Sequence, residues 1–385
     1  MSPEITLIKK CDATPLMSKR IFLDEQGKVR SDGSQCLMVQ GVARRVMAET
    51  ARDLAKHIIS CRSDQAIALG ALMIGLPDSA TITTEKKLRD NPGAIARSRH
   101  FIDYRQGTPA WALIDFDTKD IPANIAANIE VAGGMWNVLL TVAPGLQRAS
   151  RVSRASTSAG LFRTDTGERF VGSGGAHHYL LVKDADDIER FLRDLHDRCW
   201  LNGLGWHLIG SAGQLLDRSV VDRMVAYGER LCFEGAPIIE PPLAQDPAKR
   251  IPEAFEGEAI DTVLIVPGLT EYERHRVDEA KAASAEALGK SAAEIRVRHN
   301  RALAEKISAQ SGMPLVSALR LVAARHRGVL LPCLELDFDH LGVASVASVL
   351  ADPDRFVGET LADPLEGAEY GRCKAMVMEA GNGGL

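Results

Sequence analysis

An α+β fold is predicted by three features of the sequence. Apolar runs of strand length end at turn residues, two stretches repeat their apolar residues at helical spacing, and two helix-capping patterns follow a proline-rich segment. The 385 residues are 45% hydrophobic and 25% charged, with a net charge of −5. That balance predicts two or three folded domains, not a disordered chain. It gives no global sign of a nucleic-acid surface, so any such surface has to be a local patch. No apolar run reaches the roughly 18 residues of a membrane span, and the N-terminus lacks a secretory h-region. The seven cysteines are scattered with no Cys-x-x-Cys. They read as free thiols of a reducing cytosol, which predicts a cytoplasmic protein.

In chain order, short apolar runs broken by Asp24-Glu-Gln-Gly27 and Ser31-Asp-Gly33 predict a small β-rich element. From Val42 to Ser60, Met47, Ala51, Leu54, Ala55 and Ile58 share one helical face, which predicts a helix. Gln65 to Gly75 reads as a buried strand and Asn91 to Arg99 as a short helix. Trp111-Ala-Leu-Ile-Asp-Phe-Asp-Thr-Lys119 is an apolar strand ending in two aspartates. In a strand Asp115 and Asp117 leave one face with Cα atoms roughly 6.5 Å apart, so both carboxylates reach a single hard cation such as Mg²⁺ or Mn²⁺. An Asp-x-Asp on its own is more often a solvated strand end, so the motif needs company.

Pro122 opens a helix over Ile125 to Ala132, and Trp136 to Val142 continues helical packing. Arg148, Arg151 and Arg154, followed by Ser156-Thr-Ser158-Ala-Gly160, have the residue types of an anion site. Their spacing of three favours a solvated helix end. Asp165-Thr-Gly167 is a hairpin turn leading to Gly172-Ser-Gly-Gly-Ala-His177-His178-Tyr179, where His177 and Tyr179 share a strand face. His178, on the other face, reads as a core or edge histidine satisfied by a backbone carbonyl. Asp187 to Trp200 is an amphipathic helix closed by Asn202-Gly203, and a strand and turn lead to Asp217 and Asp222, with Arg230 eight residues later. Glu240 to about Gly257 reads as a linker. Thr270-x-x-Glu273 and Ser291-x-x-Glu294 start two helices separated at Gly289, and Pro314 opens a third. Arg296, Arg298, Arg301 and Lys306 read as a solvated face. Asp337-Phe-Asp339 repeats the acidic signature without a histidine strand behind it, so a structural role is assigned. Gly289-Lys-Ser lacks the first glycine of a P-loop, Ser284 standing in its place.

Taken together, Leu113-Ile-Asp-Phe-Asp-Thr-Lys119, Ser156-Thr-Ser-Ala-Gly160, Gly175-Ala-His177-His-Tyr179, Arg218-Ser-Val-Val-Asp222 and Glu229-Arg-Leu-Cys-Phe-Glu-Gly235 resemble the archaeo-eukaryotic primase superfamily, with the primase-polymerases of plasmids and prophages as the nearest likeness. The resemblance spans about residues 1–245. It implies an N-terminal α/β module joined to an RRM-like antiparallel palm, then a linker (246–268), a helical domain (269–327) and a small α/β extension (328–385). The implied activity is primer synthesis on single-stranded DNA from NTPs or dNTPs by two-metal nucleotidyl transfer, for replication of a mobile element. Asp115, Asp117 and Asp222 are the implied ligands of Mg²⁺ or Mn²⁺, with Asp217 as the alternative third carboxylate. His177 with Ser158 or Ser173 is implied to hold the triphosphate, and Lys119, Arg218 and Arg230 are secondary phosphate contacts. Gly175 stands where the family pattern has serine, which is why Ser173 and Ser158 are both carried. The tail resembles the segment that joins longer relatives to a replicative helicase, a partner in cis or in trans; no membrane is implied. The competing readings are a non-catalytic DNA-binding replication initiator, an Asp-x-Asp glycosyltransferase and a purely structural domain.

Overall fold

The computed structural model describes residues 2–11, 16–34, 36, 38–118, 120–170, 172, 174–325, 330–364 and 374–378. The fold is mixed α+β, and the chain divides into two units, 1–206 with 218–280, and 207–217 with 281–385.

The first unit holds two principal sheets. A six-stranded sheet runs in the order Leu231–Cys232, Gln65–Ala68, Glu4–Lys10, Gln40–Met47, Ser79–Thr83 and Ile95–Ala96, antiparallel except for its last pair. A four-stranded antiparallel sheet runs in the order Ala110–Phe116, Ala176–Val182, Arg151–Ala155 and Glu253–Phe255. Apolar residues of both sheets and of the helices Ala51–Ser60, Met135–Val142 and Ile188–Leu201 form one continuous core. Trp111 lies at its centre, fully buried, with its indole N–H donated to the Ala48 carbonyl at 2.7 Å. A buried indole without that acceptor would forfeit a hydrogen bond to water.

The helix expected over Val42 to Ser60 is two elements. Gln40–Met47 is a strand paired along its whole length with Glu4–Lys10, and the helix begins only after Thr50. Thr50 and Asp53 form a reciprocal capping box, which sets that start, and Ala51, Leu54 and Ile58 form the buried face. The expected helix at Asn91 to Arg99 is absent. Gly93 turns the chain at φ +86°, and Ile95–Ala96 joins the sheet edge as a strand. Arg151–Ala155 is a strand where a helix end was expected. Arginines three apart fit a helix face, but Val152 fills the core and strand pairing on both sides decides the outcome. The expected linker from 246 to 268 is built into the first unit: Glu253–Phe255 is the fourth strand of the Asp115 sheet, and Arg250 is buried. The strand Ala110–Phe116, the helices Ala123–Val131 and Met135–Val142, the turn at Gly167, the strand Ala176–Val182 and the helix Ile188–Leu201 stand as the sequence predicts.

In the second unit a small sheet contains Glu335–Phe338, whose Phe338 is buried against Phe356 at 5.0 Å. The Asp337-Phe-Asp339 echo therefore belongs to a separate core. Glu271–Ser311, whose residues up to Ala280 belong to the first unit, is a single helix of 41 residues, started by the Thr270–Glu273 capping box. The second box, at Ser291, is unused because one glycine costs a helix only about 1 kcal/mol against alanine, too little to end it among so many alanines. Among the described residues no single helix is long and apolar enough to cross a membrane.

Candidate functional site

Strand register builds the site. Asp115 pairs with His177, and His177 pairs with Arg154 on its other side, so the three form one row across three strands. The next row, Ile114–His178–Ser153, faces the opposite way because side chains alternate. There the His178 Nδ1 meets the Ser153 hydroxyl at 2.8 Å and its ring lies 5.4 Å from Trp136. His178 is thus a packed histidine as expected, though its partner is a hydroxyl and not a carbonyl. Burial, then the Arg151 charge, hold its pKa down to about 3, so it stays neutral.

At the open end of the Asp115 strand the carboxylates gather. Asp117 follows the last strand residue and is exposed, whereas the Asp115 side chain keeps 30% of its accessible surface. The Asp222 N–H donates to the Asp115 carbonyl at 3.3 Å, tying the third acidic segment to the strand. Asp222 also accepts from the Met224 N–H at 2.8 Å, which caps a short 3-10 turn. Burial raises the Asp115 pKa; His177 opposes this, and the Asp222 and Asp117 carboxylates push it further up. Asp115, Asp117 and Asp222 are therefore brought together. Asp217 belongs to the second unit, where it pairs with Lys281 at 2.9 Å.

His177 is held from behind by Glu234. The imidazole Nδ1 makes a short bond to Glu234 Oε1, and Nε2 points at Asp115 Oδ1, 3.5 Å away. Glu234 is 1% exposed and also accepts from the Tyr179 hydroxyl at 2.6 Å and from Arg154 at 2.8 Å. Burial alone would push this carboxyl up, but the charge and hydrogen bond of His177, then Arg154 and Tyr179, bring it down to about 2. With Glu234 ionised, the proton of the shared bond sits on Nδ1. Burial likewise presses the His177 pKa down, and Glu234 and then Asp115 outweigh it, so the net shift is upward.

Beside this row the Ser158 loop and the glycine-rich approach to His177 meet. The Ser156 N–H donates to the Gly175 carbonyl at 2.9 Å, and the Ser158 and Ser156 hydroxyls are 3.1 Å apart. A Cβ on Gly172, which sits at φ +71°, would lie 2.8 Å from the Ser158 carbonyl oxygen, so the close approach requires glycine. Lys119 and Ser173 lie outside the described residues. Arg230 is exposed, donates to the Met224 carbonyl at 2.7 Å and acts favourably on the Asp115 carboxylate. Arg218 is exposed on the strand Leu215–Ser219.

Glu234 and Tyr179 are functional candidates that the sequence reading missed, and Arg154 is one that it assigned to a solvated helix end. The available signal was a lone carboxylate closing the apolar Leu231-Cys-Phe run, which demands a buried cation partner. For Arg154 the signal was a strand-like alternation with Val152, masked by the spacing of three.

The chemistry of Asp115, Asp117 and Asp222 suits a hard divalent cation, since all three offer carboxylate oxygens and burial among like charges disfavours the bare Asp115 anion. Among the described residues no group of three or more His, Cys, Asp or Glu is placed so that it could hold a metal ion by itself. Mg²⁺ sites commonly use one or two carboxylates, with water and substrate phosphates completing the shell. Comparisons with protein-family models, curated proteins and solved structures give no match to this chain.

Proposed function

We propose that the first unit is a nucleotidyltransferase of the primase-polymerase type, making primers on single-stranded DNA. The observation that carries the proposal is the convergence of Asp115, Asp117 and Asp222 beside a histidine fixed by a buried glutamate. A carboxyl whose pKa is raised by burial and by two neighbouring carboxylates, next to an anchored imidazole, marks a chemical site more often than a structural one. Under this reading the four-stranded antiparallel sheet is the palm of an archaeo-eukaryotic primase core and the six-stranded sheet belongs to its N-terminal module.

Asp115, Asp117 and Asp222 would hold Mg²⁺ or Mn²⁺, which supplies a lowered pKa for the attacking 3′-hydroxyl and neutralises charge on the departing pyrophosphate oxygen. Asp115 and Asp222 are positioned by a backbone hydrogen bond, so the acidic groups are set before substrate arrives. His177, whose protonated form is favoured by Glu234 and then Asp115, offers Nε2–H to a phosphate oxygen of the incoming nucleotide. Ser158 offers a hydroxyl to the same tail, and Arg230 adds positive charge at the acidic end.

The test is primer synthesis on single-stranded DNA with NTPs and dNTPs supplied separately, in Mg²⁺ and in Mn²⁺. Template-dependent product that disappears in Asp115→Asn/Asp117→Asn supports the proposal. Salt-sensitive DNA binding without incorporation would replace it with the replication-initiator reading. Turnover of a nucleotide sugar without DNA would replace it with a glycosyltransferase.

A further inference from the structure

The helix Ala123–Val131 follows closely on the acidic end of the Asp115 strand and is held more loosely than its neighbour. Ile125 is its one buried residue, with Ile121, Ile129 and Ala132 partly buried against the core. Val131 is 90% exposed, and no side chain caps the first turn. Among the described residues no side chain of Ala123–Val131 makes a hydrogen bond or an ion pair. The next helix, Met135–Val142, is anchored differently. It buries Met135, Val138 and Leu139, and the Arg151 guanidinium lies 3.7 Å over the Trp136 ring. Few buried apolar contacts and no polar tie are the marks of a segment that opens readily.

Left-handed backbone bounds this helix on both sides. Asp120 sits at φ +55°, and Gly133 and Gly134 sit at φ +79° and +118°. Aspartate tolerates that region and glycine adopts it freely, so the chain turns at both points. A Cβ on Gly134 would meet nothing within 4 Å, so this glycine answers to its dihedral and not to crowding. The axes of the two helices meet at 90°, and Asn137 Nδ2 fastens the joint by donating to the Ala132 carbonyl at 2.9 Å. Residues 121–132 are therefore a short stiff bar between two joints.

The bar is also attached to the acidic end. Asp115 lies within its strand, and the bond from the Asp222 N–H to the Asp115 carbonyl ties Asp222 to it. Asp117 lies past the last strand residue and is exposed. The Ile121 N–H donates to the Thr118 carbonyl at 3.3 Å, which joins the start of the bar to the residue after Asp117. Of the three carboxylates, Asp117 is thus the one placed to move with the helix.

We infer that Ala123–Val131 is a flap hinged at Asp120 and at Gly133–Gly134, whose movement sets Asp117 relative to Asp115 and Asp222. A divalent cation held among the three carboxylates then fixes the flap. The cation rests on the metal reading above, whereas the hinged helix does not.

The experiment is hydrogen–deuterium exchange on the full chain, with and without millimolar Mn²⁺ as the sole addition. It is read on the amides of Ala127–Ala132, in the half of the flap remote from Asp117, and calorimetry reports separately whether Mn²⁺ binds. In the free protein these amides should exchange about tenfold or more faster than those of Leu139–Val142. Mn²⁺ should slow them about fivefold or more, and Asp117→Asn, an exposed substitution that keeps the fold, should remove the slowing. Equal exchange in the two helices overturns the flap, whatever Mn²⁺ does. Mn²⁺ binding that leaves Ala127–Ala132 unchanged, or slowing that persists in Asp117→Asn, overturns the coupling and leaves the metal reading in place. Absence of Mn²⁺ binding overturns the metal reading and the coupling together.

Discussion

Asp115 and His177 face each other as register partners, with carboxylate Oδ1 and imidazole Nε2 3.5 Å apart. Direct pairing across two antiparallel strands fixes their separation through backbone hydrogen bonds, so neither side chain has to be ordered when a ligand binds. The pairing also couples them: whatever neutralises one changes the charge preference of the other.

Replacing Asp115 and Asp117 by asparagine should remove metal-dependent nucleotide incorporation by on the order of a hundredfold or more, the scale of losing preorganised charge at a reaction centre. The fold should survive, with a melting temperature equal to or above the original, because the substitution relieves repulsion around Asp115. A variant that melts far lower would mean that these carboxylates are structural.

The two adjacent histidines should separate cleanly. His177→Ala should raise KM for the nucleotide about 10–100-fold, as expected for a charged hydrogen bond of 1.5–3 kcal/mol. His178→Asn, on the opposite face, should leave KM within about threefold while lowering stability through lost packing against Trp136. Steady-state kinetics and melting on the two variants decide the assignment.

Stability against acid should be governed in part by Glu234. Its folded pKa lies below its ordinary value of 4.5, at about 2, so its contribution is present above pH 4.5 and lost as pH falls toward 2. Asp115 has the opposite sign: its raised pKa favours the fold most below its ordinary value of 3.8, and that benefit is lost as pH rises through the folded pKa. Glu234→Ala should cost about 3–5 kcal/mol at neutral pH, because it leaves Arg154 buried without its anion. The variant's urea midpoint should then fall less steeply than the parent's between pH 4.5 and 2.

Gly289→Ala should stabilise the long helix by about 1 kcal/mol. An added Cβ there meets nothing within 4 Å, so no steric term opposes the gain. Chemical denaturation should show it, and a destabilised variant would mean that this stretch needs glycine for another reason.

The parts of the fold that could be read from the residues were those where local pattern and tertiary demand agree. Ala110–Phe116 and Ile188–Leu201 have one clear period each, and both appear where that period places them. The strand Gln40–Met47 was hidden because Val42, Val46 and Met47 fit a helical face as well as a strand, and only pairing with Glu4–Lys10 distinguishes the two. At the site, Asp115, Asp117, Asp222 and His177 could be named because their residue types announce chemistry. Glu234 could not, since a carboxylate acquires its role from buried partners that lie tens of residues away in the chain: Arg154 is 80 residues before it.

The short strand Glu253–Phe255 decides where the chain can be cut. It is hydrogen-bonded to Arg151–Ser153 and forms the outer border of the four-stranded sheet. A fragment ending at Gln245 would strip that border, leaving main-chain donors and acceptors of Arg151–Ser153 free to recruit strands from other molecules. Such a truncated protein should aggregate, whereas one extended past Ala280 should stay in solution.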